Sequence, residues 1–252
     1  MQTGPTRSFA RRYDAVLFDV DDTLLDFRAS EDAACRMVVD LYTAAGVAED
    51  VFLDAFREAS DATWDLYMEH DITRAQVADT TFEHISRLLQ GPARVDAHVA
   101  AIMFITAFAD HSVSEPGATA VLAGLHTQYV TGVISNHEQP TVQRQRLAAC
   151  GLAQFLDVVV ISGDVGVEKP DPAIFDRALH LLGMTARQCL FVGDSIASDG
   201  AGARGAGMDF CWYRRHHAPP YAPTTAVKVI ESLAQLDAFL DAPDPLVRRS
   251  AG

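Results

Sequence analysis

The chain has 252 residues, 49% apolar and 21% charged, enough for one large domain or a core domain with a smaller insert. Its formal net charge of −14 argues against nucleic acid polymers and anionic membranes as main partners, though a bound metal and one placed lysine can still hold a small anion. The four cysteines, Cys35, Cys150, Cys189 and Cys211, are far apart with no CxxC pair, so reduced and mostly buried thiols are expected.

Residues 1–13 read as a flexible polar leader. Arg7, Arg11 and Arg12 are not followed by a secretory-type apolar stretch, and no run is long enough to span a bilayer. A cytoplasmic location is the expectation. Residues 15–19 form the first strand, apolar throughout until it runs into Asp19, Asp21, Asp22 and Asp26. Clustered carboxylates repel one another unless something positive joins them, and a divalent cation is the obvious candidate.

Residues 27–110 carry apolar residues at helical spacing and little strand signal, punctuated by Gly46 and Gly91-Pro92. Such a block is too long for a loop and reads as an inserted helical subdomain. Strands and helices then alternate. Helices are expected through Leu122 and Leu125, through Val142 and Leu147, and from Pro172 to Gly183. A small-residue helix should run over about 199–206, and Ser232 should cap a final helix ending near Leu240. Strands are expected at 129–134, 158–161, 190–192, 210–213 and 227–230. Alternation of this kind implies a Rossmann-like, doubly wound parallel sheet with right-handed crossovers, residues 14–26 and 111–242, and flexible ends at 1–13 and 243–252.

In such sheets ligands bind beyond the carboxyl ends of the strands. The polar residues there are Asp19, Asp21, Ser135, Asn136, Lys169, Asp194 and Asp199. Singly, each has a bland reading as a turn former or helix cap. Their order and shared placement at strand ends do not.

The segments FDVDDTLLD, VISN, Lys169-Pro170-Asp171-Pro172 and GDSIASD resemble the four motifs of the haloacid dehalogenase-like hydrolases. The resemblance implies Mg²⁺-dependent phosphoryl transfer through an aspartyl-phosphate. Asp19 would be the nucleophile and Asp21 the acid, then the base. Ser135, Asn136 and Lys169 would hold the phosphate. Asp19, the carbonyl of Asp21, Asp194 and Asp199 would hold the metal. Dehalogenation needs no leaving-group proton, and dehalogenases lack the second aspartate of the first motif, so Asp21 favours a phosphatase. A phosphomutase or a non-catalytic regulator on the same fold are the remaining alternatives.

Only 34 positions separate Ser135 from Lys169, leaving no room for a second insert. Substrate choice should therefore rest with the helical cap, residues 27–110. There Trp64-Asp65-Leu66-Tyr67 and His70-Asp71-Ile72-Thr73 resemble the pyrimidine 5′-nucleotidase-like branch, as does the end of the core at 207–213. That makes a small phosphate ester, foremost a nucleoside 5′-monophosphate, the expected partner; a branch with a similar cap acts on sugar phosphates, including acylneuraminate phosphates. Phe27, Trp64 and Tyr67 are pocket candidates, with ordinary helix packing as the alternative. His137 replaces the branch's usual glycine and either narrows the mouth or sits in a solvated turn. Arg214, Arg215, His216 and His217 read as a solvated basic loop. Nothing in the sequence decides between a monomer and a homodimer.

Overall fold

A computed structural model describes residues 12–89, 95–215 and 226–241. The leader residues Arg7 and Arg11, the Gly91-Pro92 pair, His216, His217 and residues 243–252 lie outside them. Strand β1 (Ala15–Phe18) has every residue buried. A turn then leads to the two-residue β2 (Leu25–Asp26). Four long helices follow: α1 (Phe27–Ala44), α2 (Glu49–Met68), α3 (Val77–Leu88) and α4 (Ala97–Asp110). The chain returns through β3 (Val113–Ser114), which pairs antiparallel with β2, so the two crossings between sheet and helices lie side by side. Asp26 caps α1 by accepting from the Ala29 amide at 2.9 Å.

The rest alternates as expected. In order come α5 (Ala118–His126), β4 (Val130–Ser135), α6 (Pro140–Ala149), β5 (Val158–Ile161), the single turn α7 (Ser162–Val165) and α8 (Pro172–Leu182). Next are β6 (Cys189–Gly193), the short α9 (Ala201–Gly205), β7 (Asp209–Tyr213), β8 (Ala226–Ile230) and α10 (Gln235–Leu240). The six long strands form one parallel sheet in the order β5-β4-β1-β6-β7-β8. The chain winds outward from β1 in one direction, returns, and winds outward in the other. The reversal opens a crevice between β1 and β6, where ligands of such sheets bind.

Period-two alternation feeds two cores. Val16 and Phe18 face α5, α6 and α10 with Leu122, Leu147 and Leu236. Ala15 and Leu17 face the other layer with Ile174, Phe175 and Trp212. The helical insert has its own core around Tyr42, Phe52, Phe56, Phe82 and Ile85. Cys35, Cys189 and Cys211 are buried at separate places in these cores, and Cys150 is half-buried. No helix among the described residues is long and apolar enough to cross a membrane.

Two local expectations need correction. Ser232 does not cap the last helix; α10 starts at Gln235, whose amide donates to the Ser232 carbonyl in a preceding turn. The expected helix over 199–206 is a wide π-type turn at Ile196–Gly200 followed by α9, with Ser195 capping the turn by accepting from Ser198. The wider turn tucks the Asp199 side chain back under β6.

Candidate active site

Asp19 directly follows β1, and its amide donates to the Val192 carbonyl, so the strand's end is held against β6. The Val20 carbonyl then accepts from Leu24 and Leu25, closing a tight turn. Asp22 sits at φ 60 within it, a left-handed conformation that a short carbonyl side chain tolerates. The turn undoes the alternation of an extended strand, so Asp19 and Asp21 line one cleft together. Ser135, Asn136 and Lys169 line the same cleft.

Lys169 is buried, and its Nζ donates to Asp19 and, at 2.8 Å, to Asp199. Burial opposes its charge, but the two carboxylates outweigh that and hold its pKa above the usual lysine value. Asn136 fixes the lysine's backbone with both ends of its amide. Its Nδ2 donates to the Lys169 carbonyl at 3.0 Å, and its Oδ1 accepts from the Lys169 amide at 2.8 Å. Asp199 is fully buried and also accepts from the Ser195 amide at 3.0 Å. It reaches this place because residue 193 is glycine; a Cβ there would stand 2.3 Å from Asp199 Oδ2.

The carboxylates of Asp19, Asp194 and Asp199 lie within 4.8 Å of one another. Burial pushes Asp19 up to about 7, with Lys169 pulling it back and Asp199 adding repulsion. Asp194 is pushed up to about 9 by burial and then by the charges of Asp19 and Asp199. Lys169 alone does not neutralise three acids, and the Asp194 carboxylate accepts no hydrogen bond among the described residues. A hard divalent cation fits this all-oxygen donor set.

Sequence reasoning missed the group that holds Asp21. Arg146 on α6 is fully buried, and its Nη1 donates to Asp21 Oδ1 at 2.6 Å. Its Nε donates to Ser112 Oγ at 2.9 Å, and its guanidinium lies 4.1 Å from the Phe108 ring centre. Gln143, one helical turn earlier, donates to Asp21 Oδ2 at 3.0 Å and to Ser135 Oγ at 2.9 Å. Both oxygens of Asp21 are therefore held. Burial works against ionisation of Asp21, but Arg146 and then Arg74 outweigh it and keep its carboxyl below the usual range. Two polar residues three apart on a helix read as a solvated face. The sequence carries no signal against that reading; in the structure the buried residues of α6 are Gln143, Arg146 and Leu147.

The insert closes one wall of the cleft. Phe27 and Trp64 line it, packed edge-on at 5.5 Å. Tyr67 lines neither the cleft nor the neighbouring cavity; it packs edge-on against Trp64 at 5.5 Å. His137 is not a solvated turn residue. It is 7% exposed, lines an apolar cavity that shares Phe27, Glu31, Trp64 and Arg74 with the cleft, and its Nδ1 accepts from the Gln139 amide at 3.1 Å. Burial first, then Arg74, depress its pKa to about 4. Arg215 is likewise no solvated loop residue. It pairs with Asp22, with Asp26 at 3.2 Å and with Glu115 at 3.6 Å, tying β7 to both crossings between sheet and insert. Glu138 joins insert to sheet, accepting from the amides of Arg74 at 3.1 Å and Ala75 at 2.7 Å.

A family profile described as haloacid dehalogenase-like hydrolase matches residues 13–207. Pyrimidine 5′-nucleotidase YjjG of Escherichia coli K12 is 34% identical over 230 residues, 89% of this chain and 98% of that one. Pyrimidine 5′-nucleotidase PynA of Streptococcus pneumoniae is 29% identical over 209 residues, 81% of this chain and 85% of its own. Among solved structures, a magnesium-bound crystal form of the putative HAD-hydrolase YfnB of Bacillus subtilis superposes with a TM-score of 0.77 at 26% identity, covering 92% of this chain and all of that one. With its parallel sheet and the cleft at the reversal of strand order, the chain belongs to the haloacid dehalogenase-like hydrolases, a family of enzymes.

Proposed function

We propose that this protein is a Mg²⁺-dependent phosphomonoesterase that works through an aspartyl-phosphate, with nucleoside 5′-monophosphates as its leading substrates. The observation that carries this reading is the placement of Asp19 against the buried Lys169, with Asp21 held beside it in the same cleft. Asp19 attacks phosphorus. A bond forms between its carboxylate oxygen and phosphorus as the bond to the ester oxygen breaks. Asp21 gives its proton to the departing alkoxide, which leaves as the alcohol. It then takes a proton from the water that attacks the phosphoryl group, and inorganic phosphate leaves with Asp19 restored. The ionised state favoured by Arg146 suits this second step. For the first step, the negative charge of the arriving phosphate raises Asp21 toward protonation.

Lys169 offsets the phosphate's charge and keeps Asp19 ionised. Ser135 and Asn136 border the phosphate site, and Asn136 keeps the lysine loop in register with β4. Mg²⁺ would be held by Asp19 and Asp194, with the Asp21 carbonyl and Asp199 completing or orienting the set, and when bound it supplies Lewis-acid charge for the phosphoryl oxygens. The helical insert is proposed as the cap that sets the leaving group. Its aromatic wall of Phe27 and Trp64 supports a planar leaving group over a bare sugar. A panel of phosphate esters, assayed with Mg²⁺ and with EDTA, tests the reading. Turnover should need Mg²⁺ and vanish in Asp19→Asn; turnover retained in that variant, or indifferent to chelation, overturns it.

A further inference from the structure

Arg74 helps to keep Asp21 ionised, but this catalytic scheme gives its hydrogen-bond donors no role. It lies in the short turn between α2 and α3, at Arg74–Gln76. Its guanidinium stacks 4.3 Å from the Trp64 ring centre and stands 5.6 Å from Phe27 and 5.8 Å from Tyr67. The guanidinium has no hydrogen bond or ion pair to any described residue. The residue's backbone is nevertheless fixed to the sheet, because Glu138 accepts from the amides of Arg74 and Ala75. A guanidinium carries five N–H donors, and none of those of Arg74 is taken up in a hydrogen bond to a described residue while its carbon lies over the Trp64 ring. Positioned donors left without acceptors, in a wall shared by the catalytic cleft and the apolar cavity beside it, mark a place for something else to bind.

Glu31 lines the same two spaces. Its Oε1 accepts from Ser60 at 2.9 Å, Arg28 stands 3.5 Å from Oε2 and the Trp64 side chain donates to the carboxylate, whose two oxygens still have room for one more donor. One wall thus offers an apolar aromatic face, a cationic donor and an anionic acceptor. A sugar phosphate would leave the aromatic face unmatched. A carboxylate-bearing leaving group would suit Arg74 but meet the charges of Glu31 and Asp21. A nucleobase offers a planar face, a ring carbonyl and an N–H.

We propose that Arg74, seated on Trp64 and opposed by Glu31, forms a base-recognition subsite in which Arg74 donates to a ring carbonyl of the leaving nucleoside and Glu31 accepts from a ring or exocyclic N–H. The proposal rests on the nucleotidase reading above and assigns its specificity to these residues. The experiment compares kcat/KM for uridine 5′-monophosphate and ribose 5-phosphate in the wild-type protein, Arg74→Met and Glu31→Gln. Methionine keeps an apolar stem on Trp64 and removes the donors. In Arg74→Met the preference for the nucleotide over ribose 5-phosphate should fall about tenfold or more, chiefly through KM, as the loss of a charged hydrogen-bond donor implies. Glu31→Gln should lower the preference in the same direction. An equal loss on both substrates would make Arg74 a general electrostatic contributor to the phosphate site and overturn the subsite, as would an unchanged preference. Failure of the wild-type protein to hydrolyse the nucleotide would overturn the nucleotidase reading and the subsite with it. Turnover of ribose 5-phosphate by each variant reports that it has folded.

Discussion

Replacing Arg146 with methionine probes how strongly Asp21 and its holder depend on each other. The arginine is fully buried, its Nη1 is 2.6 Å from Asp21 Oδ1, and its Nη2 is a buried donor with no partner. Removing one member of a buried pair typically costs about 3–5 kcal/mol, because the other charge stays desolvated. Asp21 has a side chain 22% exposed and keeps Gln143, so Arg146→Met should fall near the low end, about 3 kcal/mol. Asp21→Asn should cost at least as much, since it leaves a guanidinium with no exposure at all without its counter-charge, although Ser112 and Gln143 still accept from it. The double variant removes both charges and should cost far less than the two singles together. Urea unfolding of the four proteins closes the cycle, with an expected coupling of about 2–3 kcal/mol. A coupling below about 0.5 kcal/mol would mean that the two side chains are independent and that Arg146 does not hold Asp21.

Two further outcomes follow from the wall around the cleft. His137 is neutral in the folded protein, with its pKa depressed from 6.5 to about 4. Its contribution is therefore complete above pH 6.5 and is lost as pH falls toward 4, by about 2 kcal/mol at pH 5. Unfolding free energies at pH 7 and pH 5 should show this acid-side loss in the wild-type protein and less of it in His137→Gln; identical losses in both would remove His137 as the cause. Glu138→Gln weakens the acceptor that ties the insert to the sheet. Amide exchange at Arg74 and Ala75 should speed up by about tenfold or more while the β1 amides keep their protection; unchanged exchange at the two amides would show that the tie is not made in solution.

What could be read from the sequence follows from how each residue reaches the site. Asp19, Ser135 and Asp194 lie at or just past the ends of apolar strands, and the winding of a parallel sheet brings such ends together whatever the loops do. Lys169 and Asp199 lie in the loops after strands, and it is the resemblance to the family's motifs that singles them out. Arg146 and Gln143 were not legible, because polar residues at i and i+3 on a helix describe a solvated face as well as a buried one; only α4 packing across α6 decides it. Arg74 and Glu138 escaped for a related reason. They meet across 64 positions of sequence, and no local pattern encodes that contact. The two-residue strands β2 and β3 are too short for alternation to register, although they pair the two crossings of the insert. Arg215 was misjudged, and His137 left open between pocket and solvent, because loop position suggests solvent, whereas the carboxylates of Asp22, Asp26 and Glu115 enclose the one and the insert the other.

The central claim is that Asp19 carries the phosphoryl group between the two halves of the reaction. Asp21→Asn cannot deprotonate the second-step water, so the intermediate should persist when that variant is mixed with Mg²⁺ and a phosphate ester with a good leaving group, quenched in acid and digested. Peptide mass spectrometry should then find one phosphoryl group on the peptide containing Asp19, and none when Asp19 is also replaced by asparagine. Phosphate released with no adduct on Asp19 at any time, or an adduct on another residue, would contradict the account.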